Sequence, residues 1–201
     1  MAATAMLTSN GFSQTADPRA GDPRAAIVDL YTNLQIVMRL GTATPFQQRI
    51  DRLAPIIDRD FDLDTILRTS VGLRWQTLDE ASQQRIFAVF RTFTIASYAA
   101  NFDKDAGERF EVLPQIRASG TDQIVQSQLI TPAGEQIRID YVMRGGPGGW
   151  RVVDVLVDGS ISRVAVQRSD FRSLLASGDP TPLVDSLRQK IAELARAAMR
   201  P

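Results

Sequence analysis

The stretch Gln136-Ile137-Arg138-Ile139-Asp140-Tyr141-Val142-Met143-Arg144-Gly145-Gly146-Pro147-Gly148-Gly149-Trp150-Arg151-Val152-Val153-Asp154-Val155-Leu156-Val157 decides the fold. In an extended chain Ile137, Ile139, Tyr141 and Met143 share one face, while Gln136, Arg138 and Asp140 occupy the other. That alternation belongs to an antiparallel strand with one buried face. Gly145 to Gly149, four glycines around Pro147, are turn residues and bring the chain back on itself. On the return, Val153, Val155 and Val157 alternate with Trp150, Val152, Asp154 and Leu156, so both faces are apolar and the strand is expected to be covered on both sides.

Upstream, 109–117 and 123–131 show the same period of two, and Thr131-Pro132-Ala133-Gly134 turns the chain into 136–144. Before the strands the apolar period is 3.6. Asp22 as N-cap and Pro23 as first residue open a helix carrying Ile27, Leu30, Tyr31, Leu34, Val37 and Met38 on one stripe, closed by Gly41. A second helical stretch follows Pro45 and is expected to bend or break at Pro55, and 60–70 reads as a short helix. Thr77, three residues ahead of Glu80, predicts a capping box for a long helix reaching Phe102. That helix is apolar around most of its circumference, which places it near the middle of the fold. After the strands, 162–178 and the stretch from Asp179 onward give two more helices. The fold class is therefore α+β: a curved antiparallel sheet of four or five strands wrapped by N- and C-terminal helices around an apolar pocket. Residues 1–22 read as a disordered leader or signal remnant, and 23–201 as one domain.

Two zeros bound the chemistry of these 201 residues: there is no Cys and no His. Disulfides, thiol nucleophiles, Cys or His metal sites and Ser-His-Asp triads are excluded for this chain. The 23 basic and 23 acidic residues cancel and are interspersed, so no basic stripe marks a nucleic-acid partner. Neither a metal nor an organic cofactor is expected. Asp103, Asp105, Glu108 and Glu111 lack the glycine and terminal Glu of a calcium loop, and the glycine loop before Trp150 is followed by a strand instead of the helix of a phosphate site.

Two constellations remain. The aromatic helix residues Phe87, Phe90, Phe93 and Tyr98 face the strand residues Ile139, Tyr141 and Met143, an arrangement that suits either a filled core or a lipid cavity. Asp140, Tyr141 and Asp154 suit a carboxylate base beside a phenol donor, as in an isomerase or dehydratase. Strand alternation sends Asp140 and Tyr141 to opposite faces, which weighs against that second reading.

The stretches Tyr141-Val142-Met143, Gly149-Trp150-Arg151-Val152-Val153-Asp154-Val155, Asp158-Gly159-Ser160-Ile161-Ser162 and Gln167-Arg168-Ser169-Asp170-Phe171 resemble the signature of the MlaC, or toluene-tolerance, family. Phe61-Asp62, Gly72 with Trp75, and the aromatic helix ending in Tyr98 match the same pattern upstream. The resemblance implies a non-catalytic periplasmic carrier. Its cargo would be a phospholipid, and its partners an inner-membrane ABC transporter complex and an outer-membrane lipoprotein complex. The run from Gly159 to Phe171 also resembles a branch associated with hopanoid biosynthesis, with Gln167 where the family usually has an aromatic residue, which leaves phospholipid and hopanoid both open as cargo. On this reading the pocket wall is Phe87, Phe90, Phe93, Tyr98, Ile139 and Tyr141, together with Met143, Val153, Val155, Ile161, Phe171 and Leu174. Trp75, Asp154, Gly159, Ser160 and Arg168 are carried over as family-motif positions that shape the framework. A fully packed adaptor is the third reading.

Overall fold

The computed structural model describes residues 21–198, so the leader expected over 1–22 lies outside the described residues except for Gly21 and Asp22. Helix α1, Pro23–Leu40, begins where the Asp22 carboxylate accepts the Arg24 amide at 2.9 Å. Its stripe of Ile27, Leu30 and Leu34 is fully buried, and Gly41 closes it at φ +66°. Helix α2, Phe46–Asp60, runs unbroken through Pro55, contrary to the break expected there. Pro55 is exposed, as is Asp51 one turn earlier, so the carbonyl that loses its donor faces water.

Helix α3, Leu63–Val71, is followed by a 3₁₀ turn, Gly72–Thr77, that buries Trp75. Helix α4, Glu80–Asn101, is capped by Asp79, whose carboxylate accepts the Ser82 amide at 2.7 Å. The capping box expected at Thr77 does not form, because Thr77 is already wound into the preceding turn and donates to the Arg74 carbonyl at 2.8 Å.

The strands β1 (Arg109–Ser119), β2 (Asp122–Ile130), β3 (Gln136–Gly146), β4 (Gly149–Val157) and β5 (Ile161–Ser162) form one antiparallel sheet in chain order. Besides a register shift between β1 and β2 at Val112 to Ile116, two features break its regularity next to the site. Between β2 and β3 the ladder opens across Ser127 and Ile139, and the Ser127 hydroxyl donates to the Ile139 carbonyl in place of a backbone donor. Between β3 and β4 the register slips, with Val142 opposite Asp154 and Met143 opposite Val152, leaving Val153 as the extra residue of a bulge. The strict alternation expected along β4 therefore fails at one residue: Val152 and Val153 are both buried, and Val152 is the one that packs in the main core cluster.

Helices α1, α2, α3 and α5 (Arg163–Leu174) pack on the strands, and α6 (Thr181–Ala197) packs on α4 from the far side. Gln136, Arg138 and Arg144 stay exposed on the opposite face of the sheet. No described helix is long and apolar enough to cross a membrane.

Candidate functional site

Between α4 and the inner face of β3 and β4 lies a cavity of about 290 Å³. Its helical wall is Phe90, Phe93 and Phe102 with Thr94, Ser97 and Tyr98, positions three and four residues apart that therefore share one face of α4. The strand wall is Ile137, Ile139, Tyr141, Val155 and Val157. Phe61, Leu63 and Ile66 close one side, and Arg163, Val164 and Gln167 of α5 close another. Phe61 meets Tyr98 edge-on at 5.5 Å between ring centroids, and Phe102 lies 5.9 Å from Tyr98, so the apolar wall is braced by ring contacts.

All three tyrosines of the chain gather at one end of this space. Tyr98 and Tyr141 line it, and Tyr31 stands behind Tyr141 with the rings edge-on at 5.9 Å. The Tyr31 hydroxyl lies 2.5 Å from the Ser127 hydroxyl. Burial away from water disfavours the phenolates: Tyr31 is pushed up to about 12, and Tyr98 and Tyr141 also rise well above the usual tyrosine value. At neutral pH the end of the cavity holds neutral hydroxyls.

The carboxylates sit elsewhere. Asp140 is fully buried on the outer face of β3, held by Arg138 at 2.9 Å and Arg117 at 3.7 Å. Asp154 borders the cavity, but its oxygens already accept the Ser162 hydroxyl at 2.5 Å and the amides of Val155 at 2.7 Å and Val164 at 3.1 Å. It ties β4 to the start of α5. Asp154 shares the cavity lining with Tyr98 and Tyr141, but its oxygens are engaged by these three donors.

Of the twelve wall positions expected from sequence, Phe90, Phe93, Tyr98, Ile139, Tyr141 and Val155 line the cavity. Met143 and Phe171 are in the packed core, Phe171 edge-on to Phe90 at 6.3 Å, while Phe87 and Leu174 pack against that core. Val153 is displaced by the bulge, and Ile161 is half exposed at the end of the sheet. Sequence reading passed over Thr94, Ser97 and Gln167. The first two carried a usable signal, since they interleave with Phe90, Phe93 and Tyr98 at helical spacing.

The motif positions are structural in their contacts. Gly159 has φ +70°, and a Cβ there would meet the Arg138 Nε at 2.6 Å, so the turn after β4 closes over Arg138 only with glycine. Gly72, at φ +71°, lies under the Arg168 guanidinium, whose Nη2 would be 3.1 Å from a Cβ. Trp75 is buried with the Arg68 guanidinium 5.5 Å from its ring, and the Ser160 amide donates to the Val157 carbonyl at 3.2 Å.

Residues 32–189 match the family described as MlaC protein. No curated protein matches the chain. Among solved structures, a phospholipid-binding protein from Ralstonia solanacearum, determined in complex with a phospholipid, superposes with a TM-score of 0.75 at 22% identity. The match covers 87% of this chain and 99% of that one, and at this identity it shows a shared fold.

Proposed function

The chain belongs to the MlaC family, and from that premise we propose that it is a periplasmic lipid carrier, not an enzyme, which passes lipid between an inner-membrane ABC transporter complex and an outer-membrane lipoprotein complex. The observation that carries the reading is the apolar cavity between α4 and the β3–β4 wall. The Ralstonia protein of the same fold holds a phospholipid, which supports the same class of cargo here. Residues 23–201 act as one lipid-binding domain whose wall is Phe90, Phe93, Tyr98, Ile139, Tyr141 and Val155.

Apolar burial alone is enough to hold such a cargo, because each CH₂ removed from water contributes about 0.8 kcal/mol. A cavity of about 290 Å³ equals roughly ten water volumes at about 30 Å³ each, and lies at the lower edge of ordinary ligand pockets. The carboxylate chemistry weighed as the alternative finds no support in the geometry, since Asp140 faces away from the cavity and Asp154 is engaged by three donors.

Native mass spectrometry of the purified protein, followed by organic extraction, tests the proposal. The expected result is a lipid at close to one per chain, lost in a Ser97→Trp variant that fills the cavity. A protein that arrives empty and takes up no lipid from liposomes overturns the carrier reading.

A further inference from the structure

Arg163 is the one cation among the residues that line the cavity, and it is exposed, so it stands where the cavity meets water. It is the first residue of α5, between Ser162 and Val164, whose hydroxyl and amide both donate to Asp154. Asp154 is the only other charged residue of the lining, and its carboxylate is taken up by three donors at the start of the helix. The Arg163 guanidinium, by contrast, makes no hydrogen bond or ion pair with any described residue. Its five N–H donors, set in a planar fork, are left for a ligand.

Gln167 lies one turn further along α5, shares its face with Arg163 and also lines the cavity, half-buried. Its Oε1 lies 3.1 Å from the Ser70 hydroxyl, which leaves the amide nitrogen, on the other arm of the group, without a partner among the described residues. The α5 rim of the cavity therefore offers one positive charge and two sets of N–H donors, beside an apolar space walled by Phe90, Phe93, Ile139 and Val155. A ligand that satisfies both parts has a hydrocarbon body and an anionic end. A guanidinium fork matches the oxygens of a phosphate in shape as well as in charge.

We propose that Arg163 and Gln167 form a headgroup subsite that seats the lipid phosphate and makes the carrier favour anionic lipids over zwitterionic lipids with the same chains. This rests on the carrier reading and specifies its cargo. An anionic headgroup presents a net negative charge to Arg163, whereas in a zwitterionic one the tethered ammonium offsets the attraction. Because Arg163 reaches water, the preference is modest and is weakened by salt.

The test is competitive uptake from vesicles holding equal amounts of dioleoyl phosphatidylglycerol and dioleoyl phosphatidylethanolamine, with the lipid extracted from the reisolated protein quantified against standards of each. The expected result is about threefold more phosphatidylglycerol than phosphatidylethanolamine on the wild-type protein. The preference should vanish in Arg163→Gln and shrink in Gln167→Leu. It should persist in Arg172→Gln, which removes an exposed charge of α5 that does not line the cavity. Equal uptake of the two lipids by the wild-type protein, or an excess of phosphatidylethanolamine, overturns the inference and leaves the carrier reading standing. A preference that survives Arg163→Gln, or that is lost equally in Arg172→Gln, also overturns it, because the headgroup then answers to some other group or to the general charge of the surface. A protein that takes up neither lipid removes the carrier reading itself, and this inference with it.

Discussion

Asp140 and Tyr141 are neighbours on β3, both essentially without exposed surface, yet they are buried by opposite means. Tyr141 faces inward beside Tyr31 and Tyr98, three phenols that burial keeps neutral, while the charged groups on the cavity, Asp154 and Arg163, come from β4 and α5. Asp140 faces outward under Arg138 and Arg117, whose side chains are 46% and 51% exposed. The inner side of β3 carries no formal charge of its own. The outer side carries formal charges that remain close to water. A carrier for lipid needs the first condition along its cavity, and β3 keeps its own charges on the other side, one residue away.

The largest expected effect comes from charging the dry side. Burial raises the tyrosines above their ordinary value of about 10, so the neutral form is favoured by the fold. The stability this contributes is fully present below pH 10, the unfolded value, and is lost as pH rises toward and through the folded values, about 12 for Tyr31. Absorbance at 295 nm should stay flat through pH 10 and then rise in one step with the loss of circular dichroism. A gradual rise centred near pH 10 in a protein that keeps its dichroism means the inner side is wet, and the comparison fails.

Truncation comes next. Tyr141→Ala leaves a hole between two packed rings and should cost about 3–5 kcal/mol. At this chain length each kcal/mol lowers the melting temperature by roughly 2–4 °C. Tyr141→Phe keeps the volume and removes only a buried hydroxyl, for a smaller loss of about 1 kcal/mol. A Phe variant as unstable as the Ala variant shifts the weight from packing to the hydroxyl.

On the outer side, Asp140→Ala should cost only about 1 kcal/mol, despite the complete burial of the carboxylate. One-sided removal of a buried ion pair usually costs 3–5 kcal/mol because a charge is stranded in low dielectric. Here the stranded groups are arginines already half in water, which turn outward and rehydrate. Equal losses for the Ala variants of Asp140 and Tyr141, read from urea midpoints, would erase the distinction between the two sides.

The same strand shows why sequence was informative and where it stopped. Inward and outward sets on β3 follow from a period of two, and the sequence has an apolar or phenolic residue at each inward position. On β4 the same rule holds at Val155 and Val157 and fails at Val153, because a bulge moves the register by one and the apolar run Val152-Val153 fits either phase. The helices α1 and α4 were legible from their stripes. The α4 cap shifted from Thr77 to Asp79 because burial of Trp75 winds the preceding residues into a turn, a tertiary effect that local spacing does not encode. Half of the wall was legible for a related reason. Aromatic and aliphatic residues announce burial but not whether they face packed neighbours, as Phe171 does, or open space, as Phe93 does. The meeting of the three tyrosines was out of reach of the sequence because Tyr31, Tyr98 and Tyr141 come from three different elements.

Salt gives the smallest effect and the sharpest comparison of the two sides. Screening shortens from about 10 Å at 0.1 M ionic strength to about 3 Å at 1 M, so it acts on charges that reach water and not on neutral hydroxyls. Arg138 grips Asp140 through its Nε and Nη2 in direct contact, whereas Arg117 stands at 3.7 Å and is the more exposed to screening. The stability gap between the wild-type protein and Asp140→Ala should therefore narrow by a few tenths of a kcal/mol between 0.1 M and 1 M sodium chloride. The gap between the wild-type protein and Tyr141→Phe should not move. Taking differences at each salt concentration cancels the general strengthening of apolar burial by salt, which acts equally on protein and variant. If both gaps stay fixed, Asp140 is as dry as Tyr141, and the two sides of β3 do not differ in access to water. If both narrow, ions or water reach the tyrosines, and the cavity is open at its inner end.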